Sequence, residues 1–201
     1  MGSMAQIAVS RFKVQSAATL PSMADERNNG CHAVIGAVYE DRRFNTTGLA
    51  LLGVNAAAWK LDLLRCESWA NQAPPETAKA IFEICRRHRA WGVAVNEVQS
   101  VAFVRELQLL NPNPEWLHNC DLGPPQRARL AQNLVNALET RMLRVYPDHD
   151  LMGQLAALPI DYHIDGAVLG DPTDATPQLE RAMAVTIAVT WAIGTLMDMS
   201  C

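Results

Sequence analysis

The 201-residue sequence has no CxxC pair and no cluster of histidines. Its cysteines are odd in number and scattered along the chain, at Cys31, Cys66, Cys85, Cys120 and Cys201. A zinc site needs cysteine and histidine ligands at short, regular spacings, so this scatter argues against such a centre. Isolated cysteines of this kind are typical of buried free thiols in a reducing compartment.

Several motifs of nucleotide-binding and hydrolytic enzymes are also missing. The chain has no glycine-rich phosphate loop, no Walker motif, no GxSxG elbow and no cysteine–histidine pair at a catalytic spacing. None of the enzyme classes that depend on these motifs is therefore supported by the sequence.

The chain has no apolar run long enough to cross a bilayer. Its most apolar stretch, from Ala182 to Met197, has 16 residues without a charge and contains three threonines. Spanning a membrane takes roughly 20 apolar residues, so we expect this stretch to be a helix buried inside the domain. No charged and then apolar segment of the signal-peptide type is present either.

The charge balance lacks the strong positive excess of a protein that coats nucleic acid. Lysine and arginine number 17 against 21 acidic residues, giving a net charge of −4. Apolar residues make up 49% of the chain, which is enough for a hydrophobic core. We therefore predict one folded domain over residues 31–201, preceded by a tag remnant and lead-in segment over residues 1–30.

Three apolar or alternating segments follow one another at the start of this domain. Cys31–Tyr39 and Thr46–Val54 are almost continuously apolar, whereas Trp59–Glu67 alternates between apolar and polar residues. The short polar links between them predict a three-stranded antiparallel meander.

Helical patterns then alternate with short apolar segments. We predict helices over 74–88, 101–110, 126–143 and 151–158, a strand over 92–96, and a loop or hairpin over 161–170. A final helix is predicted to start with Thr176 as its cap and Pro177 in its first turn. This order predicts a mixed α/β fold of ribonuclease H-like layout, with parallel strands after the antiparallel meander and helices on both faces.

Segments in this order resemble the C-terminal nuclease domain of the large terminase subunits of tailed phages and herpesviruses. The segments are Val34–Tyr39 with Asn45–Gly53, Gly92–Glu97 with Phe103–Leu107, Gln126–Leu130, Leu151–Leu155 and Gln178–Ala184. The resemblance extends over roughly Cys31 to Trp191 and implies a ribonuclease H-like domain that acts on viral double-stranded DNA during genome packaging. Recombination resolvases of the same fold, and an unrelated small α/β domain, remain alternatives.

In the terminase family three carboxylates hold two Mg²⁺ or Mn²⁺ ions about 3.5–4 Å apart, which activate water and stabilise the leaving oxygen of a phosphodiester. The acids lie near the end of the first strand, at the end of the fourth strand, and at the start of the last helix. The resemblance therefore implies Asp41, Glu97 and Asp174 as catalytic and metal-binding residues, with Glu40 and Asp171 as neighbouring candidates.

The direct alignment departs from this pattern at all three acid positions. It puts Val38 in the first, Asn96 in the second and Gln178 in the third. Valine cannot bind a metal, and asparagine supplies an oxygen without charge. Two hypotheses follow: a two-metal endonuclease that uses the nearby acids, or a catalytically degenerate module, a pseudoenzyme, that serves as a DNA-binding, protein-interaction or structural component.

Binding duplex DNA needs cationic groups directed at phosphates. The candidates are Arg42, Arg43, Arg127 and Arg129, while Arg86–Arg89 are expected to form an ordinary charged helix surface. The resemblance implies double-stranded DNA, a terminase motor domain, a portal and a small terminase subunit as partners, with no membrane. It places the protein in the cytoplasm or nucleus of an infected cell, not outside it, either as an excised domain or as a separate chain.

Overall fold

Three strands in series begin the fold, as the apolar and alternating patterns predict. They are β1 (Ala33–Asp41), β2 (Thr46–Asn55) and β3 (Lys60–Ala70), and each runs antiparallel to the one before. The computed structural model describes residues 31–96, 101–164, 166–171 and 178–199. The predicted lead-in over residues 1–30 lies outside them, so the domain division stays a prediction.

The rest of the chain alternates helices with short strands. In order they are α1 (Pro74–Arg87), β4 (Gly92–Val95), α2 (Val101–Leu110), β5 (Leu117–Asn119), α3 (Pro124–Glu139), β6 (Leu143–Arg144), α4 (His149–Ala156), β7 (Ile160–His163), β8 (Gly166–Leu169) and α5 (Glu180–Asp198). The predicted helix over 126–143 is shifted, because α3 begins at Pro124 and ends at Glu139. Strands β5 and β6 escaped prediction because two or three residues are too few to show a period.

Six strands form one mixed sheet in the order β5-β4-β1-β2-β3-β6. Strand β4 pairs in parallel with both β1 and β5, and β6 pairs in parallel with β3. Strands β7 and β8 form a separate antiparallel hairpin. The predicted fold class is confirmed: an antiparallel meander is followed by parallel strands, within an α/β sheet.

Helices cover both faces of the sheet, and alternation along β1 divides its side chains between them. Ile35, Ala37 and Tyr39 belong to the core that contains α3 and α5, here called the α5 face. Val34 and Val38 belong to the other core, which contains α1 and α2, here called the α1 face. The face of a β1 residue therefore decides which helices it meets.

Helix α5 accounts for the long uncharged run in the sequence. It packs against β1, β2, β3 and α3, and most of its side chains are buried. No helix in the described part of the chain has the length and apolar character needed to span a membrane. The helix begins at Glu180, so the predicted start at Thr176 and Pro177 is wrong; those two residues themselves lie outside the described ranges.

Helix α5 approaches β2 closely at Gly48. A Cβ atom on Gly48 would overlap the carbonyl oxygen and carbon of Glu180, which are backbone atoms and cannot rotate away. Glycine at this position therefore lets the first turn of the helix lie directly on the sheet. Because Gly48 is paired with Tyr39, the contact also sets the distance from α5 to the end of β1.

We predict that Gly48→Ala destabilises the protein by about 1–3 kcal/mol, because the added methyl forces the helix off the sheet. Gly153 is the matched control, since it is helical and a Cβ there meets nothing within 4 Å. Gly153→Ala is expected to leave stability unchanged or to raise it by up to about 1 kcal/mol. Urea unfolding followed by circular dichroism measures both; equal midpoints for the two variants would contradict the close contact.

Candidate functional site

The carboxyl ends of the parallel strands β1 and β4 meet at one edge of the sheet, here called the carboxyl edge. Tyr39 and Asp41 lie at this end of β1, and alternation directs both to the α5 face. Asn96 follows β4 directly and is 6% exposed. Val38, the residue aligned with the first acid, lies in the core of the opposite face. Tyr39, and not Val38, is therefore the β1 residue that lies beside Asn96 on the α5 face.

Asp41 is buried and is held by an arginine from the adjoining turn. Its Oδ1 accepts hydrogen bonds from the backbone N–H and Nε of Arg43, both at 3.1 Å, and its Oδ2 accepts one from Nη2 at 2.8 Å. The guanidinium also stacks over the ring of Phe44, 5.0 Å from its centroid. Hydrogen bonding to Asp41 raises the pKa of Arg43. Both carboxylate oxygens are therefore committed to a fixed cation.

A second carboxylate and a second arginine lie beside this pair. Burial raises the pKa of Tyr39, and the negative charges of Asp41 and Asp171 raise it further. The phenol therefore stays protonated at neutral pH. Asp171 in turn forms an ion pair with Arg127, with 3.3 Å between Oδ2 and Nη1. The carboxyl edge thus brings together two acids, two arginines and a buried tyrosine.

The predicted metal ligands are only partly within the described structure. Asp41 is at the expected edge, whereas Glu97 and Asp174 lie outside the described residues. Glu40 precedes Asp41 on β1, so alternation places its side chain on the opposite face of the sheet, and it is half-exposed. Within residues 31–96, 101–164, 166–171 and 178–199, no three histidine, cysteine, aspartate or glutamate side chains are grouped as a metal site.

The described donors do not fit a pair of divalent ions. Such ions need carboxylate oxygens that are free to coordinate, in a set carrying enough negative charge to balance them. Here Asp41 is bidentate to Arg43, Asp171 is paired with Arg127, Tyr39 is a protonated phenol and Asn96 is a neutral amide. Glu180, at the start of α5, is the one further buried carboxylate near this edge in the described part of the chain, and a single carboxylate cannot balance two divalent ions. What this arrangement can do chemically is offer guanidinium groups to an anion.

A polar network fixes the first turn of α5 next to the carboxyl edge. Oε1 of Gln154 accepts hydrogen bonds from the backbone N–H groups of Arg181 and Ala182, at 3.0 and 3.2 Å, and so caps the helix from α4. Its Nε2 donates to Oε1 of Glu180 at 3.4 Å. Glu180 is 3% exposed, and its Oε2 has no hydrogen-bond partner among the described residues.

An ion pair joins the same turn to the start of α4. Nη2 of Arg181 contacts Oδ2 of Asp148 at 2.5 Å, while Oδ1 of Asp148 accepts from the N–H of Leu151 at 2.9 Å and caps α4. Burial alone would raise the pKa of Asp148, but the hydrogen bonds from Arg181 and Leu151 outweigh it and hold the pKa below its usual range. Asp148 therefore links two helix starts.

Four predicted DNA-binding arginines are arranged around the carboxyl edge. Arg42 and Arg43 are exposed in the β1–β2 turn, and Arg127 and Arg129 lie in the first turns of α3. Arg127 is joined to the edge through Asp171. Arg86 and Arg87 end α1 on the other side of the sheet and are exposed, whereas His88 of the same predicted surface run is buried.

Comparison with solved structures identifies this architecture. The HK97 bacteriophage large terminase superposes with a TM-score of 0.74 at 13% identity over 91% of this chain. The nuclease domain of the large terminase subunit of bacterial virus Sf6 superposes with a TM-score of 0.65 at 12% identity, and the match covers 91% of this chain and 98% of that domain. The chain has the fold of a large terminase nuclease domain.

Other terminase nuclease structures bear on the metal question. The enzyme of thermophilic phage G20c was solved with magnesium and superposes with a TM-score of 0.62 at 11% identity, over 79% of this chain and 81% of that one. Another G20c structure holds cobalt, and Sf6 domains were solved with manganese and with calcium. The chain spans 43% of the length of the HK97 terminase. A scan of family models and a search of curated proteins find no match.

Some determinants of the terminase-like edge were missed by sequence reasoning. Tyr39 was overlooked because the alignment put the acid position one residue earlier, on the opposite face. Gln154 belongs to the Leu151–Leu155 segment of the sequence resemblance, but nothing in the sequence connected it to α5. The pair of Arg181 with Asp148 spans 33 residues and leaves no periodic signal.

The ionised carboxylate of Asp148 stabilises the folded protein, and we expect this contribution to be lost at acid pH. Because its pKa is lower in the folded state, the stabilisation is complete above the usual aspartate pKa of about 4 and is lost as the pH falls through the folded value. We predict that Asp148→Asn lowers the free energy of unfolding by about 1–3 kcal/mol at pH 7, and by less at pH 3, which is below the usual aspartate pKa of about 4.

Urea unfolding at the two pH values measures this difference. Glu83→Gln is the control, because Glu83 is exposed on α1 and its loss should change stability by no more than about 0.5 kcal/mol at either pH. A destabilisation by Asp148→Asn that is the same at pH 7 and pH 3 would show that the carboxylate charge does not matter.

Proposed function

We propose that this terminase-type domain holds viral double-stranded DNA at its carboxyl edge through arginine side chains and does not cleave it. The observation that favours this function is the pairing of Asp41 with Arg43, which engages both oxygens of the one predicted metal ligand that the structure describes. Tyr39, which lies beside Asn96 on the α5 face, is a protonated phenol and supplies no negative charge that could balance a metal ion. The edge is thus suited to phosphate.

The distribution of charge supports this role although the chain is acidic overall. The net charge is −4, yet Arg42, Arg43, Arg127 and Arg129 lie around one edge. Arg127, in the first turn of α3, pairs with Asp171, so the positive end of the helix dipole lies near this region. Phosphate contacts of this kind supply most of the affinity for DNA irrespective of sequence.

A two-metal endonuclease is the second candidate. Asp41 and Asp171 both lie at the carboxyl edge, and Asn96, which directly follows β4, immediately precedes Glu97 in the sequence. In this proposal Asp41, Glu97 and Asp174 would hold Mg²⁺ or Mn²⁺, which would supply Lewis-acid activation of a water and charge neutralisation of the phosphodiester. The metals bound by the G20c and Sf6 nucleases support the choice of ion.

The partners follow from the same fold likeness. The HK97 terminase is more than twice as long as the part that this chain covers. We propose that the domain works beside a terminase motor domain during DNA packaging in an infected cell, with a portal and a small terminase subunit in the same assembly.

The DNA-binding role predicts that Arg129→Ala weakens binding to a short duplex and lowers the slope of log affinity against log salt by about 0.9, the value for one lost phosphate contact. Fluorescence anisotropy with a labelled duplex in EDTA measures both quantities. Arg87→Ala is the matched control, because Arg87 is an exposed helical arginine on the α1 side, and it should change neither.

Equal losses for the two variants, or no binding of duplex in EDTA, would contradict this proposal. Incubation of supercoiled plasmid with Mn²⁺ tests the second candidate in parallel. Metal-dependent nicking that is lost in Glu97→Ala would favour the endonuclease instead.

A further inference from the structure

A cleft of about 280 Å³ opens on the α5 face beside the carboxyl edge. It lies between the sheet at β4 and β5, the start of α3 and the second half of α5. Its lining residues are Ala94, His118, Asn119, Cys120, Asp121, Gln126, Arg129, Ile187, Thr190, Trp191 and Gly194. The volume is just below the roughly 300–1,000 Å³ of sites for drug-sized ligands, so it suits a smaller molecule.

Two aromatic rings form one wall of the cleft. The imidazole of His118 lies 4.1 Å from the indole of Trp191, with their planes inclined at 49°. Partial burial lowers the pKa of His118, so the ring is neutral at pH 7 and keeps one donor and one acceptor nitrogen. The two rings pack against each other at an angle, and the aromatic surface that they leave on the cleft suits contact with a planar, heteroaromatic group.

Polar groups surround this wall. The hydroxyl oxygen of Thr190 is buried and has no hydrogen-bond partner among the residues that the structure describes. The side-chain amides of Asn119 and Gln126 line the same space, and the exposed guanidinium of Arg129 lies at its rim. Amide groups pair with the edges of nucleobases, and guanidinium groups bind phosphate.

Small side chains keep the cleft open. Ala94 lines it from the sheet, and at Gly194 a Cβ atom would meet nothing within 4 Å. Burial and the neighbouring Asp121 raise the pKa of Cys120 to about 11, so its thiol is uncharged and contributes an apolar surface. The cleft therefore combines an apolar interior with a polar lining that carries one cation, Arg129, and one acid, Asp121.

We propose that the cleft binds a single nucleotide, with the base against Trp191 and His118 and the phosphate at Arg129. The nucleotide comes either from solution or from an unpaired position in DNA held at the carboxyl edge. The second source rests on the proposed DNA-binding function, whereas binding of a free nucleotide does not depend on it.

The test uses Gly194→Leu, which fills the cleft from a position where the structure has room. Gly153→Leu is the control, because Gly153 is likewise helical with open space around its Cβ, but lies on α4 outside the cleft. Calorimetric titration with dAMP should show one site on the wild-type chain and on Gly153→Leu, and an affinity at least tenfold weaker on Gly194→Leu. Circular dichroism confirms that both variants fold.

Titration with inorganic phosphate separates the base from the phosphate. The proposal is overturned if phosphate binds as tightly as dAMP, if no nucleotide binds at millimolar concentration, or if Gly194→Leu binds dAMP as well as Gly153→Leu does. A duplex with one unpaired adenine distinguishes the sources. DNA is supported as the source if the wild-type chain binds this duplex more tightly than the fully paired duplex and Gly194→Leu loses the difference. Equal binding of the two duplexes supports a free nucleotide.

Discussion

The close contact between the first turn of α5 and β2 at Gly48 is the constraint on which the carboxyl edge depends. Glycine alone leaves room there for the backbone of Glu180. Gln154 caps the same turn from α4, and the Arg181–Asp148 pair ties the two helix starts together. Because Gly48 pairs with Tyr39, these contacts bring the start of the last helix to the end of β1, where the sequence resemblance implies the candidate site.

Charge at this edge is arranged in a way that differs from the metal site implied by the resemblance. The buried carboxylate of Asp41 is neutralised by Arg43, a cation that belongs to the chain itself, and Asp171 is neutralised by Arg127. A buried carboxylate needs such a partner, since leaving it unpaired is costly. The arginines that serve this purpose are also the groups that can meet a phosphate, so the same pairs stabilise the fold and form the proposed DNA surface.

Much of the fold could be predicted because its signals are local. The apolar runs of β1 and β2, the alternation of β3 and the two prolines that begin α1 each specify an element over a few residues. The start of α5 could not be predicted, because its cap is a side chain of another helix and not Thr176. For the candidate site, the sequence predicted Asp41 at the end of the first strand, where the structure has it, but not the contacts that it makes; its role as a ligand stays a prediction. A shift of one residue along β1 exchanges Val38 for Tyr39, and pairs such as Arg127 with Asp171 join distant segments.

Binding of Mn²⁺ to the purified chain tests most directly whether the carboxyl edge is an arginine surface or a metal site. Electron paramagnetic resonance reports the free ion during titration. The account predicts that the free signal rises with added Mn²⁺ as it does in buffer, for the wild-type chain and for Asp41→Asn alike. One or two ions bound per wild-type chain and lost in Asp41→Asn would contradict it.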